Sequence, residues 1–462
     1  FIDFFDGIAG ALFVDGLGEL MSAAGSPDWL RVLIADGAGA GLQVVATFIP
    51  IIAALYLFLS VLEDSGYMAR AAFVMDRFMR AIGLPGKAFV PLIVGFGCNV
   101  PAIMATRTLE NERERKLTIL MNPFMSCGAR LPVYALFAAA FFPNSGQNVV
   151  FALYLIGIAV AILTGLLMKQ SLLPGSSSGF MMELPPYHLP TLKGVLLRAW
   201  DRVRLFVKEA GQVIVIMVLA LNVLNSIGTD GSFGNENTEH SLLSETARTL
   251  TPAFAPLGIQ EDNWPAVVGV FSGILAKEVV VGTLDSLYTR VAEQEADPMD
   301  EAPFDLWQSL GDAAATVPQN LAELSDALLD PLGISLVSEQ DADAQGVNQA
   351  VFGAMQARFD GQAGAFAYLL FVLLYFPCVA TIGAIRRETG SGWAAFVATW
   401  TTGIAYLTAT IFYQAATWDQ HPSASLTWIG GLLLVFVATV IGLRVWARRG
   451  RRRVGAIDWA EQ

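Results

Sequence analysis

Seven stretches of this chain, 42–62, 117–142, 148–168, 208–228, 364–385, 392–414 and 426–446, stay apolar over about twenty residues or more. Crossing a hydrocarbon core of ~30 Å takes about 20 apolar residues in a helix. Lipid offers backbone N–H and C=O groups no partner, so such segments must satisfy one another internally. Repeated runs of this length leave one fold class: an all-α, polytopic, multi-pass membrane protein whose main partner is the lipid bilayer. Composition agrees, with 54% hydrophobic and 15% charged residues and a mean hydropathy of +0.53. A net charge of −13 gives no reason to expect nucleic acid as a partner.

Lys and Arg in short loops set the orientation. Arg70, Arg77, Arg80 and Lys87 form one basic group, and Arg107, Arg113, Arg115 and Lys116 a second. The loop from Lys169 to Lys208, the pair Arg386 and Arg387, and the tail 447–453 complete the set. All are expected in the cytoplasm, C-terminus included, with acidic segments 229–262 and 291–363 outside. The count closes only if 88–109 and 264–286, interrupted by Gly, Pro or charge, each enter and leave on one side. Residues 1–41 then lie outside, as the end of a span that starts upstream of Phe1.

Residues 82–109 align without gaps on 257–284, matching Gly83 with Gly258, Phe96 with Phe271 and Thr108–Leu109 with Thr283–Leu284. The spans preceding them run in opposite directions, which predicts an inverted-topology repeat with a site near the midplane. The first unit is 42–140 (span 42–62, re-entrant 88–109, broken span 117–142) and the second 208–286 (span 208–228, re-entrant 264–286). Between them, 148–207 holds a span, a cytoplasmic loop and an amphipathic helix over 192–207. An acidic external loop (287–363), three C-terminal spans (364–446) and a basic tail (447–462) follow.

Chemistry is concentrated where helices should break. "GFGCNVPAIMATRTL" (95–109) predicts a break at Gly95, Gly97 and Pro101, with Cys98 and Asn99 at its tip. "MNPFMSCGARLPVYALF" (121–137) breaks around Pro123 and Cys127, with Met125 and Asn122 as further soft or polar groups. In "LLYFPCVATIGAIRRE" (373–388), Pro377 precedes Cys378. All three cysteines lie in apolar stretches, so free thiols are expected rather than disulfides. Thiols, thioethers and an amide oxygen together suit a divalent transition metal. Cys98, Cys127 and Cys378 are the leading ligands, with Asn99, Met104, Met125 and Glu278 secondary. Lys277 and Glu278 sit in an apolar segment, where each charge costs at least ~2.5–3.5 kcal/mol and must find protein or water. Either the pair fixes the second hairpin or Glu278 attracts a cation.

"AIGLPGKA" (81–88) is not a phosphate-binding loop, because Ala81 and Ala88 stand where Gly and Ser/Thr are needed. Neither catalytic residues nor a bound cofactor are expected, and the chain is not read as an enzyme. Residues alone leave open a divalent-metal transporter, a nucleoside-type organic solute carrier, and a membrane receptor or scaffold. Broken helices disfavour the last.

The stretch from Leu62 to Leu109, together with "NPFMSCGARLPVYALF", "LAKEVVVGTL" and "YFPCVATIGAIRRE", resembles the membrane (Gate) domain of the ferrous iron transport protein B (FeoB) family. The resemblance covers about residues 40–415. It implies Fe2+ uptake across the bacterial inner membrane by a GTP-regulated permease with two Gate regions similar to nucleoside-recognition segments. It also implies a separate N-terminal GTP-binding domain, outside this chain, through which GTP and Mg2+ act. Small FeoA and FeoC-like partners and a homo-oligomer belong to the same expectation. Iron at the membrane cysteines carries over to Cys98, Cys127 and Cys378.

Overall fold

The computed structural model describes residues 2–175, 186–228, 231–234, 241–275, 277, 279–293, 306–322 and 349–458. Among them helix dominates and no strand forms, and each of the seven expected spans lies in a helical segment long and apolar enough to cross a bilayer. Three boundaries differ from expectation for local reasons. The first span is part of a helical segment from Trp29 to Asp64, π-helical over Val32–Gly39 and continuing through Pro50, so residues 29–41 continue into the span. Leu192–Ser226 is one helix of 35 residues: no proline interrupts it, and the expected division at 207/208 does not exist. The expected apolar face of 192–207 splits, with Val195 and Val203 packed inside and Leu192, Leu196 and Trp200 exposed. Conversely, 364–385 is not continuous; helix stops at Leu374 and restarts at Val379.

Ala40–Asp64 and Leu192–Ser226 pack along one another in opposite directions. Small residues allow the approach, as membrane helix contacts require where burial of apolar surface drives nothing. A Cβ on Gly41 would stand 2.9 Å from the Val215 backbone, and one on Gly211 3.4 Å from Val45. Ion pairs Arg202–Glu63 (2.8 Å) and Arg198–Asp64 (2.7 Å) fasten their basic end.

Both interrupted segments fold back on themselves as hairpins. Lys87, before the first, lies 3.7 Å from Glu110, just after it, so chain entry and return share an end. In the second, Tyr288 donates to the Asn263 side chain at 2.6 Å, again joining start and return. The first opens at the basic end of the molecule, where Lys169 donates to the Ala81 carbonyl and Arg113 to that of Leu173. The second opens at the opposite end, where Gln414 donates to the Pro256 carbonyl and Gln362 to that of Phe141. The two copies share their punctuation. Gly83 (φ +97) and Gly258 (φ +83) both take the left-handed conformation that costs other residues energy. Each precedes the start of its hairpin helix, Phe89–Gly97 or Trp264–Leu275, by the same interval. The second helix is longer, 12 residues against 9, so its break falls about a turn later than the gapless alignment implies.

Candidate functional site

The first hairpin breaks at one residue. Phe89–Gly97 ends, Cys98 is extended (φ −153, ψ 133), and Asn99–Ala105 begins. The expected break at Gly95, Gly97 and Pro101 is therefore displaced: both glycines lie inside the first arm, and Pro101 sits in the first turn of the second. There its missing N–H removes nothing, since the first N–H groups of a helix have no intrahelical acceptor. Gly128 approaches the Gly97 carbonyl to within 4.0 Å of a built Cβ, so this tip meets the second break.

That second break lies in the span 112–141. Helix Glu112–Met121 passes through a tight turn, Asn122–Phe124 with Pro123, then opens at Met125–Cys127 and resumes through Gly128–Arg130 into Leu131–Phe141. The third break is Tyr375–Cys378, containing Pro377. All three cysteines thus immediately precede a helical segment, each in the capping position, with Cys98 and Cys127 extended. Backbone N–H groups and the helix dipole favour a negatively charged group there. Sequence reading found the breaks but not this common placement, which depends on where each helix restarts. None of the three thiols is in a disulfide and all are part-buried; Cys378 Sγ lies 3.0 Å from Thr381 Oγ1.

Polar contacts join these breaks. With its amide turned to donate, Asn99 reaches the Gly95 carbonyl at 3.3 Å and the Asn122 carbonyl at 3.0 Å, strapping the first tip to the second break. Met104 takes a hydrogen bond from Tyr56 at 3.8 Å. Lys277, 3% exposed at the second hairpin's tip, donates to the Phe376 carbonyl at 3.2 Å. Its Nζ lies 3.3 Å from the centroid of Tyr375, so it is bound to the break that carries Pro377 and Cys378. Glu278 lies outside the described residues.

Sequence reading passed over Arg130. The side chain is 1% exposed within the membrane core. Nη2 donates to the Pro123 carbonyl at 3.2 Å, while Nε and Nη1 lack any hydrogen-bond acceptor. Tyr134, Tyr154 and Tyr375 lie within its electrostatic reach, linking the second break to the third. The signal was available: a lone arginine within an apolar span marks a functional position by its cost alone.

Two cavities lie toward opposite ends. A cavity of about 420 Å3 runs from Asp36 and Asn225, at the acidic end, to Leu275 and Val279, which flank the second hairpin's break. Asn222, Ser272, Thr283 and Ser286 add oxygen to its wall. At the basic end, between Val100, Met104, Ala380 and Ala384, there is a void of only about 20 Å3, bordered by Arg107 and Glu388. Among the described residues no three His, Cys, Asp or Glu side chains assemble into a metal cage.

The family description "Gate: Nucleoside recognition" matches residues 45–141 and 207–392, and "Ferrous iron transport protein B C terminus" matches 150–202. The second Gate stretch takes in Cys378 as well as the second hairpin. An Fe(2+) transporter FeoB of Legionella pneumophila is 51% identical over 446 residues, covering 95% of this chain and 58% of that protein. An Fe(2+) transporter FeoB of Escherichia coli (strain K12) is 47% identical over 448 residues, covering 96% of this chain and 56% of the relative. The chain thus spans somewhat over half the length of these curated relatives. No solved structure matches.

Proposed function

The chain belongs to the ferrous iron transport protein B family through its Gate regions, and on that premise we propose that it forms the Fe2+-conducting membrane part of such a transporter. Its place is the bacterial inner membrane, with the basic end and the C-terminus in the cytoplasm. One observation carries the reading: three helix breaks in the membrane interior each present a thiol in the capping position of the next helical segment, and the breaks are joined by contacts. Soft thiolate ligands, met in series with Asn99, Met104 and Met125, suit a borderline divalent ion that must bind and then leave.

The unequal cavities support an outward-accessible, inward-closed state. Ions enter from the acidic side through the cavity beside Asp36, pass the second hairpin at Lys277, and reach Cys378, Cys127 and Cys98. Glu278 belongs to this path as a candidate attractor. GTP and Mg2+ act only through a separate N-terminal domain, and FeoA, FeoC-like proteins and a second copy of the chain are proposed partners of the full transporter. A nucleoside-type organic carrier is the less favoured reading, since the relatives are named Fe(2+) transporters.

Fe2+ uptake by the full-length protein in anaerobic proteoliposomes tests this, comparing wild type with Cys98→Ser and Cys378→Ser. A large loss in both variants is expected. Wild-type rates in both would remove the thiols from the path.

A further inference from the structure

Asn122 is the first residue of the tight turn at the second break, and its side chain is fully buried. Neither Oδ1 nor Nδ2 has a hydrogen-bond partner. Leaving a buried polar group unsatisfied costs about 1–3 kcal/mol. Leucine has similar volume and none of that cost. The amide is thus held at this position against a standing penalty.

Its surroundings show what it faces. A Cβ on Gly95 would lie 2.5 Å from Asn122 Oδ1, 3.2 Å from Met125 Cβ and 3.4 Å from the donating nitrogen of the Asn99 amide. Gly95 lies inside a regular helical arm and does not have positive φ, so its backbone does not require glycine. Its missing side chain instead leaves the space into which the Asn122 oxygen points. The two neighbouring amides divide the work. The Asn99 amide nitrogen is committed to the carbonyls of Gly95 and Asn122 and holds the two breaks together. The Asn122 side chain stays uncommitted at that junction, one residue after Met121 and five before Cys127 in the chain.

We infer that the Asn122 side-chain oxygen is a ligand for the transported divalent cation at the junction of the first hairpin and the second break. The inference rests on the transport reading above for its cargo. A neutral amide oxygen complements the Cys98 and Cys127 thiols and the Met125 thioether, giving the mixed soft and hard donor set that a borderline ion accepts. Because the oxygen brings no charge, it binds weakly enough to release, which conduction demands.

The test uses full-length protein in anaerobic proteoliposomes, with Fe2+ uptake as one readout and Mn2+ binding by electron paramagnetic resonance as another. Asn122→Leu fills the volume without an oxygen, and Asn122→Asp keeps the oxygen. Asn122→Leu is expected to lose tenfold or more in uptake and in Mn2+ affinity while its melting temperature does not fall. Asn122→Asp, which keeps the oxygen but adds charge, is expected to hold Mn2+ at least as tightly as wild type while its uptake slows. Uptake and Mn2+ affinity of Asn122→Leu within twofold of wild type would overturn the inference, leaving Asn122 a packing residue. Should Asn122→Leu not fold, Asn122→Ala takes its place against Asn122→Asp with the same criteria. If wild type fails to carry Fe2+ but its Mn2+ binding vanishes in Asn122→Leu, the transport reading falls and the ligand assignment stands.

Discussion

Arg107 places Nε at 2.7 Å and Nη2 at 2.6 Å from the same oxygen of Glu388, tying the end of the first hairpin to the last turn of the helix that Cys378 caps. Glu388 is largely buried by the contact, and Arg387 pairs with Glu209 of helix 192–226 beside it. Side-chain hydrogen bonding to Glu388 raises the Arg107 pKa, so the guanidinium stays charged throughout. These pairs stand at the border of the small void at the basic end.

If this clasp keeps the inner mouth shut, Glu388→Gln raises basal Fe2+ passage several-fold in vesicles without nucleotide. The cost in stability stays near ~1 kcal/mol or below, because Arg107 is half exposed and such pairs contribute little. Exchanging the charges, Arg107→Glu with Glu388→Arg, returns passage toward wild type. Equal passage in all three proteins would show that the mouth is held by other contacts.

Arg130 places a fixed positive charge beside a path proposed for cations, with two of its nitrogens, Nε and Nη1, lacking an acceptor. Arg130→Met removes the repulsion and the unpaired groups together. The expected result is faster basal Fe2+ flux with a melting temperature at or above wild type, since each unpaired buried donor costs ~1–3 kcal/mol. Arg130→Lys keeps the charge and keeps the slow flux. A slower Arg130→Met protein would make the guanidinium a helper of transport and not a barrier.

Lys277 bonds the Phe376 carbonyl and stacks its ammonium on Tyr375. A desolvated cation–π contact contributes about 2 kcal/mol or more. Lys277→Met is expected to lower thermal stability measurably and to loosen the second hairpin. Hydrogen exchange over 264–286 and 370–380 reports this directly. Protection equal to wild type in both segments would remove Lys277 as their link.

Gly83 and Gly258 are equivalent in backbone but not in surroundings. Placing alanine in the left-handed region costs roughly 1–2 kcal/mol at either site. A Cβ at Gly83 meets the flexible Lys169 chain, whereas one at Gly258 drives into the ring of Tyr413, whose hydroxyl donates to Asp360 at 2.7 Å. Gly258→Ala should therefore melt well below Gly83→Ala, with partial recovery when Tyr413→Ala is added. Equal melting temperatures would leave backbone strain as the whole effect.

Asp36 is the carboxylate in the wall of the large cavity. Asp36→Asn is expected to raise the KM for Fe2+ uptake several-fold with the maximal rate little changed, because it acts on capture and not on passage. A change in maximal rate alone would move Asp36 out of the access route.

Seven spans, two interrupted segments and their opposite senses were legible from apolar length and the placement of Lys and Arg, because a bilayer imposes these requirements on every chain that crosses it. Gly83 and Gly258 were legible as a pair, since glycine at matching places marks a backbone conformation that needs no tertiary information. The thiols were legible as residues at breaks. Where each helix restarts was not: Cys98 alone forms the first break because packing keeps Gly95 helical, its bare Cα facing Asn122. Continuity of 192–226 was hidden as well, since a change from amphipathic to apolar composition does not interrupt backbone hydrogen bonding. The bond from Lys277 to Phe376 and the Arg107–Glu388 clasp join residues about a hundred or more positions apart. Periodicity and local propensity carry no term for such pairs, so only the packed structure decides them.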